Sequence, residues 1–380
     1  MGVGVGIGIG VEGPLVLSIP IPTPTPTPTP MVPSPKLEML ASHSDALTGG
    51  SDLRYSHGGS PMCTPHKTIV LVSPRGFCAG VRHAVEIAEA ALRLRPLPLY
   101  ALHEIVHNRQ VVESFERRGV CFVNTIAEVP EGRAVLFSAH GVPPAVRVAA
   151  AARRLEVIDA TCPFVLKVHV EVLRFAREGY SIVIVGHRAH DEVIGVAGEA
   201  PGRVTVIETV EDAEAFEPVD PVRVAVVTQT TLSAEDADQI RAVLRRRFPG
   251  LRTPATDDIC YATTNRQQAV QALARRVGLI LVLGAQNSSN TRRLVEVARA
   301  AGAEAVLVSR IEDIADSGIG NRTDVGITAG ASTPESFIAQ VLQHLAACGF
   351  DKTEDLETVC ENIQFNLPHA LRMESDRPVR

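Results

Sequence analysis

Three cysteines in this 380-residue chain repeat one local context. Cys78 follows the apolar run 69–72 and the loop Ser73-Pro74-Arg75-Gly76-Phe77, Cys162 follows 157–158 and Asp159-Ala160-Thr161, and Cys260 follows Thr256-Asp257-Asp258-Ile259. A helix-like stretch succeeds each of them. Each thiol is therefore expected near a helix N-terminus, where the macrodipole and free backbone N–H groups favour a thiolate. The separations, 84 residues (78 to 162) and 98 residues (162 to 260), amount to one cysteine per α/β unit. Three converging thiolates suit zinc or an iron–sulfur cluster, and three protein ligands leave the open coordination position that a catalytic metal needs. The competing expectation is three ordinary buried cysteines, against which the shared context argues. Cys63, Cys121, Cys348 and Cys360 lack that context and are read as non-ligands, Cys121 as core within the run 120–123. Seven cysteines, an odd number with no CxxC pair, make no disulfide scaffold and fit a reducing cytoplasm.

Polar loops at the ends of apolar runs suggest an anion site. They include His103-Glu104-Ile105-Val106-His107-Asn108, Ser138-Ala139-His140-Gly141, the loop from Gly186 to Glu192 that holds His190, and Thr328-Ala329-Gly330-Ala331-Ser332. Asn287-Ser288-Ser289-Asn290 lies between an apolar run and a helical stretch. Hydroxyls, an amide and backbone N–H groups thus gather at a helix N-terminus, which suits a phosphate or diphosphate. The plainer expectation for Ser288, Asn290 or Ser332 is an N-cap or turn, and for a lone histidine a structural role. Glu192 stands two residues after His190, where a carboxyl beside an imidazole and an anion can deliver a proton. Thr230, in Thr228-Gln229-Thr230-Thr231, can position a hydroxyl or water. No Walker A or Gly-x-Gly-x-x-Gly segment follows a strand-like run, which argues against a nucleotide.

The elements that must carry these loops alternate. Strand-length apolar runs recur at 69–72, 134–137, 157–158, 182–185, 204–207, 224–227, 279–283, 305–308 and 325–327, and helical patterns at 84–94, 163–178, 234–248, 264–277 and 291–301. Near-continuous apolar strands between amphipathic helices predict an α/β fold with mostly parallel sheets. In open parallel sheets, ligands sit beyond the carboxyl ends of the strands, where these loops lie.

Composition narrows the function classes. An apolar fraction of 45% supports a sizeable core, and a net charge of −6 gives no pull toward nucleic acid or an anionic membrane. Aromatics are 4% with no Trp, which argues against stacking platforms for single strands, and no uninterrupted apolar stretch is long enough to span a bilayer. The opening segment differs in kind. Gly alternates with Val or Ile from Gly2 to Gly10, and Pro takes every second position from Pro20 to Pro30. Such a run makes neither helix nor central strand and is expected to be an extended tail. It reads as a dispensable leader, or as sequence upstream of a later start at Met31 or Met39, and lacks the cationic region of a secretory signal.

Several segments in order resemble the 4-hydroxy-3-methylbut-2-enyl diphosphate reductases, the LytB-type iron–sulfur reductases that end the methylerythritol phosphate route to isoprenoids. They are Pro74-Arg75-Gly76-Phe77-Cys78-Ala79-Gly80-Val81, Ala160-Thr161-Cys162-Pro163 and the run from Asp257 through Cys260 to Gln267. Ser138-Ala139-His140-Gly141-Val142, Thr228-Gln229-Thr230-Thr231-Leu232 and Thr328-Ala329-Gly330-Ala331-Ser332 add to these. The resemblance runs from about Thr68 to Arg372. It implies a pseudo-threefold trefoil of three α/β domains around a 4Fe–4S cluster, held by Cys78, Cys162 and Cys260 with one iron open to substrate. The divisions expected are a tail (1–66), domains at 67–159, 160–256 and 257–345, and a C-terminal segment (346–380). It further implies that His103, His140 and His190 contact substrate and that Ser288, Ser289, Asn290 and Ser332 cradle a diphosphate. Glu192 matches the proton donor, and Thr230 the residue aligning it with the substrate hydroxyl. The implied activity is reductive removal of an allylic hydroxyl from a small diphosphate, giving isopentenyl and dimethylallyl diphosphates. The implied electron source is a ferredoxin or flavodoxin with its reductase. The His190 loop departs from the family pattern, with Ala189 and Asp191 where relatives carry Gly and Pro. Two other readings compete: a three-domain 4Fe–4S enzyme resembling quinolinate synthase, and a non-enzymatic metal-binding module with a closed four-ligand site.

Overall fold

The computed structural model describes residues 66–375, so the Gly- and Pro-rich opening and Cys63 lie outside the described residues. The first described strand, β1 (Lys67–Ser73), is followed by helix α1 (Ala79–Leu94). Strands β2 (Leu99–Leu102), β3 (Val120–Val123), β4 (Ala134–Phe137) and β5 (Glu156–Asp159) form a sheet in the order β3-β2-β4-β5, with α2 (Arg109–Glu116) and α3 (Pro144–Ala152) between them. After α4 (Pro163–Arg177) come β6 (Ser181–Val185), α5 (Asp191–Ala197), β7 (Val204–Ile207), α6 (Val210–Ala215) and β8 (Val224–Thr228), whose sheet runs β7-β6-β8. Helices α7 (Ala234–Arg247) and α8 (Tyr261–Ala274) lead to β9 (Leu279–Leu283), α9 (Ser289–Ala300), β10 (Glu304–Val308), β11 (Asp324–Ala329), α10 (Glu335–Ala347) and β12 (Phe350–Glu357). A short α11 (His369–Ser375) ends the described chain.

The third sheet has the order β10-β9-β11-β1-β12. The sheets therefore do not divide the chain into contiguous thirds. The strand β1, expected to open a unit with 134–137, pairs instead with β11 (Ile69↔Val325) and with β12 (Leu71↔Asp355). Every strand pairing is parallel, as the apolar runs predict. A parallel sheet covered on both faces needs strands without a polar side, and β9, Leu-Ile-Leu-Val-Leu, is buried at all five positions. On one side its Ile280 and Val282 pack with Leu273 of α8 and Leu294 of α9. On the other, Leu279, Leu281 and Leu283 pack with Phe337 and Val341 of α10.

Three strands are not among the nine strand-length apolar runs. β12 is charged, Phe350-Asp-Lys-Thr-Glu-Asp-Leu-Glu, because it is the sheet edge, where charge discourages pairing with another chain. β2 and β3 are only four residues each. Cys121, expected in the core, is exposed on the edge strand β3, on the face opposite Val120 and Phe122, which pack into the core. No helix among the described residues is long and apolar enough to cross a membrane.

Candidate active site

Each of the three repeated cysteines is the N-cap of a helix: Cys78 of α1, Cys162 of α4 and Cys260 of α8. Each also ties its backbone N–H to the loop after a strand of a different sheet. Cys78 donates to Ala331 O (3.1 Å) beyond β11, Cys162 to Ala139 O (2.9 Å) beyond β4, and Cys260 to Thr230 O (3.1 Å) beyond β8. Three sheets thus present three thiols to one centre. Gly80 is required there, because a Cβ on it would run into Cys162 Sγ and lie 3.9 Å from Cys78 Sγ. Burial pushes the Cys162 thiol far above its ordinary range, and the nearby Cys78 and Cys260 push the same way. Burial, with Cys78 adding, raises Cys260 to about 11, against a hydrogen bond with Thr263 Oγ1 at 3.2 Å. Crowded, buried thiols of this kind become thiolates when a metal centre supplies the compensating charge.

Beside the thiols lies a buried carboxyl. Glu192, 2% exposed in the first turn of α5, accepts the Thr230 N–H on Oε1 (2.7 Å) and the Thr230 hydroxyl on Oε2 (2.8 Å). Burial raises its pKa to about 7, and the two Thr230 hydrogen bonds only partly oppose this. A carboxyl so placed is half protonated near neutral pH, which suits it to donate a proton. His190 caps α5, its Nδ1 accepting the Glu192 N–H at 3.2 Å. That bond leaves the ring proton on Nε2, and burial lowers the imidazole to about 4, so His190 is neutral at pH 7.

The departure from the family pattern at Asp191 leaves this helix start intact. The first helical position tolerates Pro, and it favours an acidic residue because of the macrodipole. The Asp191 carboxylate lies 3.3 Å from His103 Nδ1, and that hydrogen bond lowers Asp191 to about 2.

The same pair corrects an expectation about His103. Its Nδ1 faces Asp191, its Nε2 donates to Asn124 O at 3.1 Å, and its backbone φ is +59°. Both ring nitrogens are engaged, so the ring offers no free N–H to a ligand, and its hydrogen bond with Asp191 raises its pKa. The position expected for His103 is taken by His107. Its ring stacks on His140 (centroids 4.0 Å apart), and His190 stands edge-on to both at 5.3 and 5.6 Å. His107 Nδ1 donates to Glu104 (3.2 Å), whose carboxylate is lowered by that bond and also accepts from Asn287 Nδ2 at 2.8 Å. Burial drives the His140 pKa well below its ordinary value. The sequence offers two histidines four residues apart. The choice is made by Ile105 and Val106, both 1% exposed, and by Asn108, which caps α2 and fixes the chain direction at His107.

The polar residues around 290 meet at the start of α9. Ser288 caps the helix through Thr291 N–H (3.3 Å), and Ser289 and Asn290 occupy its first turn, both buried. Asn290 Oδ1 accepts the Ala331 N–H at 2.9 Å, while its buried Nδ2 has no partner among the described residues. Ser332 donates its hydroxyl to the His107 carbonyl at 2.9 Å, which links this loop to the histidine cluster.

The family described as LytB protein matches residues 69–346. The 4-hydroxy-3-methylbut-2-enyl diphosphate reductase of Paracoccus denitrificans is 50% identical over 311 residues, 81% of this chain and 98% of that protein. The 4-hydroxy-3-methylbut-2-enyl diphosphate reductase 2 of Mycobacterium tuberculosis strain H37Rv is 49% identical over 307 residues, 80% and 92% of the two chains. Among solved structures, the E-1-hydroxy-2-methyl-but-2-enyl-4-diphosphate reductase of Plasmodium falciparum superposes with a TM-score of 0.78 at 36% identity, covering 81% of this chain and 98% of that one. With matches of this extent in sequence and in fold, the chain belongs to the LytB family of iron–sulfur enzymes.

Proposed function

We propose that the chain removes the allylic hydroxyl of (E)-4-hydroxy-3-methylbut-2-enyl diphosphate reductively, yielding isopentenyl and dimethylallyl diphosphates. The C–O bond breaks, two electrons and two protons enter, and water leaves. One observation carries the reading. Thr230 holds both oxygens of Glu192 with its N–H and hydroxyl, while its own carbonyl holds the N–H of Cys260. Proton donor and thiol centre are one hydrogen-bonded unit.

The residues fit the cluster that the family implies: three thiols on three helix N-termini, with a glycine keeping the space between two sulfurs clear. Cys78, Cys162 and Cys260 would hold a 4Fe–4S cluster. The chemistry it supplies when bound is electron delivery and Lewis acidity at an iron with an open position. Glu192 gives its proton to the departing oxygen, so that water leaves and not hydroxide. Thr230 aligns the substrate hydroxyl with that carboxyl. The diphosphate is held by His107, His140 and the Nε2–H of His190, by Ser288, Ser289 and Ser332, by the free Asn290 amide and by the α9 N-terminus. His103 contributes outside this set, through Asp191. The electrons come from a ferredoxin or flavodoxin with its reductase, in a reducing cytoplasmic setting that suits the six cysteines that are free among the described residues.

The test is anaerobic purification with iron and sulfide analysis, followed by turnover of the diphosphate with a chemical reductant. About four irons and four sulfides per chain are expected in the intact protein. Cys162→Ser is expected to lose the cluster and all turnover, and Cys121→Ser to keep both. A colourless protein holding one zinc and no sulfide after reconstitution would sink the reading.

A further inference from the structure

Lys167 and Asp258 form an ion pair outside the catalytic set, at a junction of three segments that the site depends on. Lys167 lies on α4, the helix that Cys162 caps, and Asp258 lies two residues before Cys260. The Asp258 side chain is 2% exposed and that of Lys167 is 26% exposed. Lys167 Nζ donates to Asp258 Oδ1 (3.0 Å) and to the carbonyls of Thr256 (2.7 Å) and Asp257 (2.8 Å), which uses all three of its donors. The second oxygen, Asp258 Oδ2, accepts the N–H of Thr228 at 3.0 Å. Thr228 is the last residue of β8. Two residues on, Thr230 addresses Glu192 and holds Cys260. In between, the Gln229 N–H is fixed to Val185 O at 2.9 Å. The segment from Thr228 to Thr230 is therefore anchored at every residue, and its first anchor is Asp258.

We infer that Lys167 and Asp258 are positioning residues for proton delivery: the pair fixes the entry of the Thr228–Thr230 segment, so that Thr230 meets both oxygens of Glu192. This rests on Glu192 being the proton donor. Neither residue is among those proposed to hold substrate. Removing Lys167 leaves Asp258 as an unpaired buried charge, which is costly, whereas replacing both partners by neutral groups of similar shape is far less so. In Lys167→Met with Asp258→Asn, the amide oxygen still accepts the Thr228 N–H and no charge is stranded.

The test compares Lys167→Met, Asp258→Ala, the Lys167→Met/Asp258→Asn double variant and Glu192→Gln, each with its cluster reconstituted. Iron and sulfide content, KM and kcat are measured. The single variants are expected to keep the cluster and KM but lose about 10- to 100-fold in kcat, the cost of a small misplacement of a reacting group. The double variant is expected to recover most of that turnover, a rescue that simple loss of stability at two sites would not give. Normal kcat in cluster-loaded single variants overturns the inference. So does a double variant that folds, holds its cluster and turns over as poorly as the singles, and this second arm stands even if a single variant fails to fold. If Glu192→Gln turns over normally, the proton-donor reading itself falls. If Glu192→Gln is inactive while Lys167→Met is normal, only the role of the pair falls.

Discussion

Asp191 and Glu192 are consecutive residues on the first turn of α5, yet the regions they face push them in opposite directions. The Asp191 carboxylate, at the rim, meets the half-exposed His103 and is lowered to about 2, whereas the Glu192 carboxyl, inside, is raised by burial to about 7. The macrodipole acts on both and does not separate them. What separates them is which side of the helix turn each side chain leaves from. The inner side offers a hydroxyl and an amide but no cation among its hydrogen bonds, and the outer side offers an imidazole. Two carboxyl groups of similar chemistry thus acquire opposite shifts through environment alone.

The sharpest way to break this contrast is at the inner residue. Glu192→Gln keeps the shape and is expected to retain the cluster while turnover falls about 100- to 10,000-fold, the usual range for loss of a general acid. In the intact protein, kcat/KM should fall as pH rises through about 7, because the active form is the protonated carboxyl. A profile flat across that range would mean that Glu192 is not the proton source. Stability carries the same signs. Glu192, raised on folding, contributes fully below its ordinary value of 4.5 and loses that contribution as pH rises through about 7. Asp191, lowered on folding, contributes above 3.8 and loses it as pH falls through about 2.

The histidines give the next effect. His107→Ala should raise KM for the diphosphate by about 10- to 100-fold, as expected for one lost hydrogen bond to a charged group. His103→Ala should leave KM near that of the intact protein. Equal KM effects would place His103 back among the substrate contacts. The smallest effect is expected at the rim. Asp191→Asn removes a partly exposed ion pair worth about 0.2–1 kcal/mol, so thermal unfolding should shift only slightly while kcat holds. A large drop in kcat would show that the two carboxyl groups are not separate in function.

The parts legible in the sequence are those written in residue type and local period. All nine apolar runs coincide with strands, and the inner ones, such as β9, are apolar throughout because both of their faces are buried. The convergence of Cys78, Cys162 and Cys260 was foreshadowed by their shared place before helices. What stayed hidden depends on contacts that no local pattern encodes. β12 takes its place in the sheet from pairing with β1, not from its own charged residues. Nothing within His103-Glu104-Ile105-Val106-His107 says which ring turns inward. That is settled by burial of the residues between them and by the engagement of His103 with Asp191 and Asn124. Lys167 and Asp258 lie 91 residues apart and touch only after two helices have been placed.

The pairing of β1 with β11 and β12 also sets a timetable for the nascent chain. The strand that leads to Cys78 leaves the ribosome first among the described elements, but its neighbours, at Asp324–Ala329 and Phe350–Glu357, leave nearly last. Such distant partners make the central sheet slow to close. The acceptor for the Cys78 N–H, Ala331 O, arrives equally late. If Cys78, Cys162 and Cys260 hold the cluster, its loading is expected to be a late event, following synthesis of the loop at Ala331.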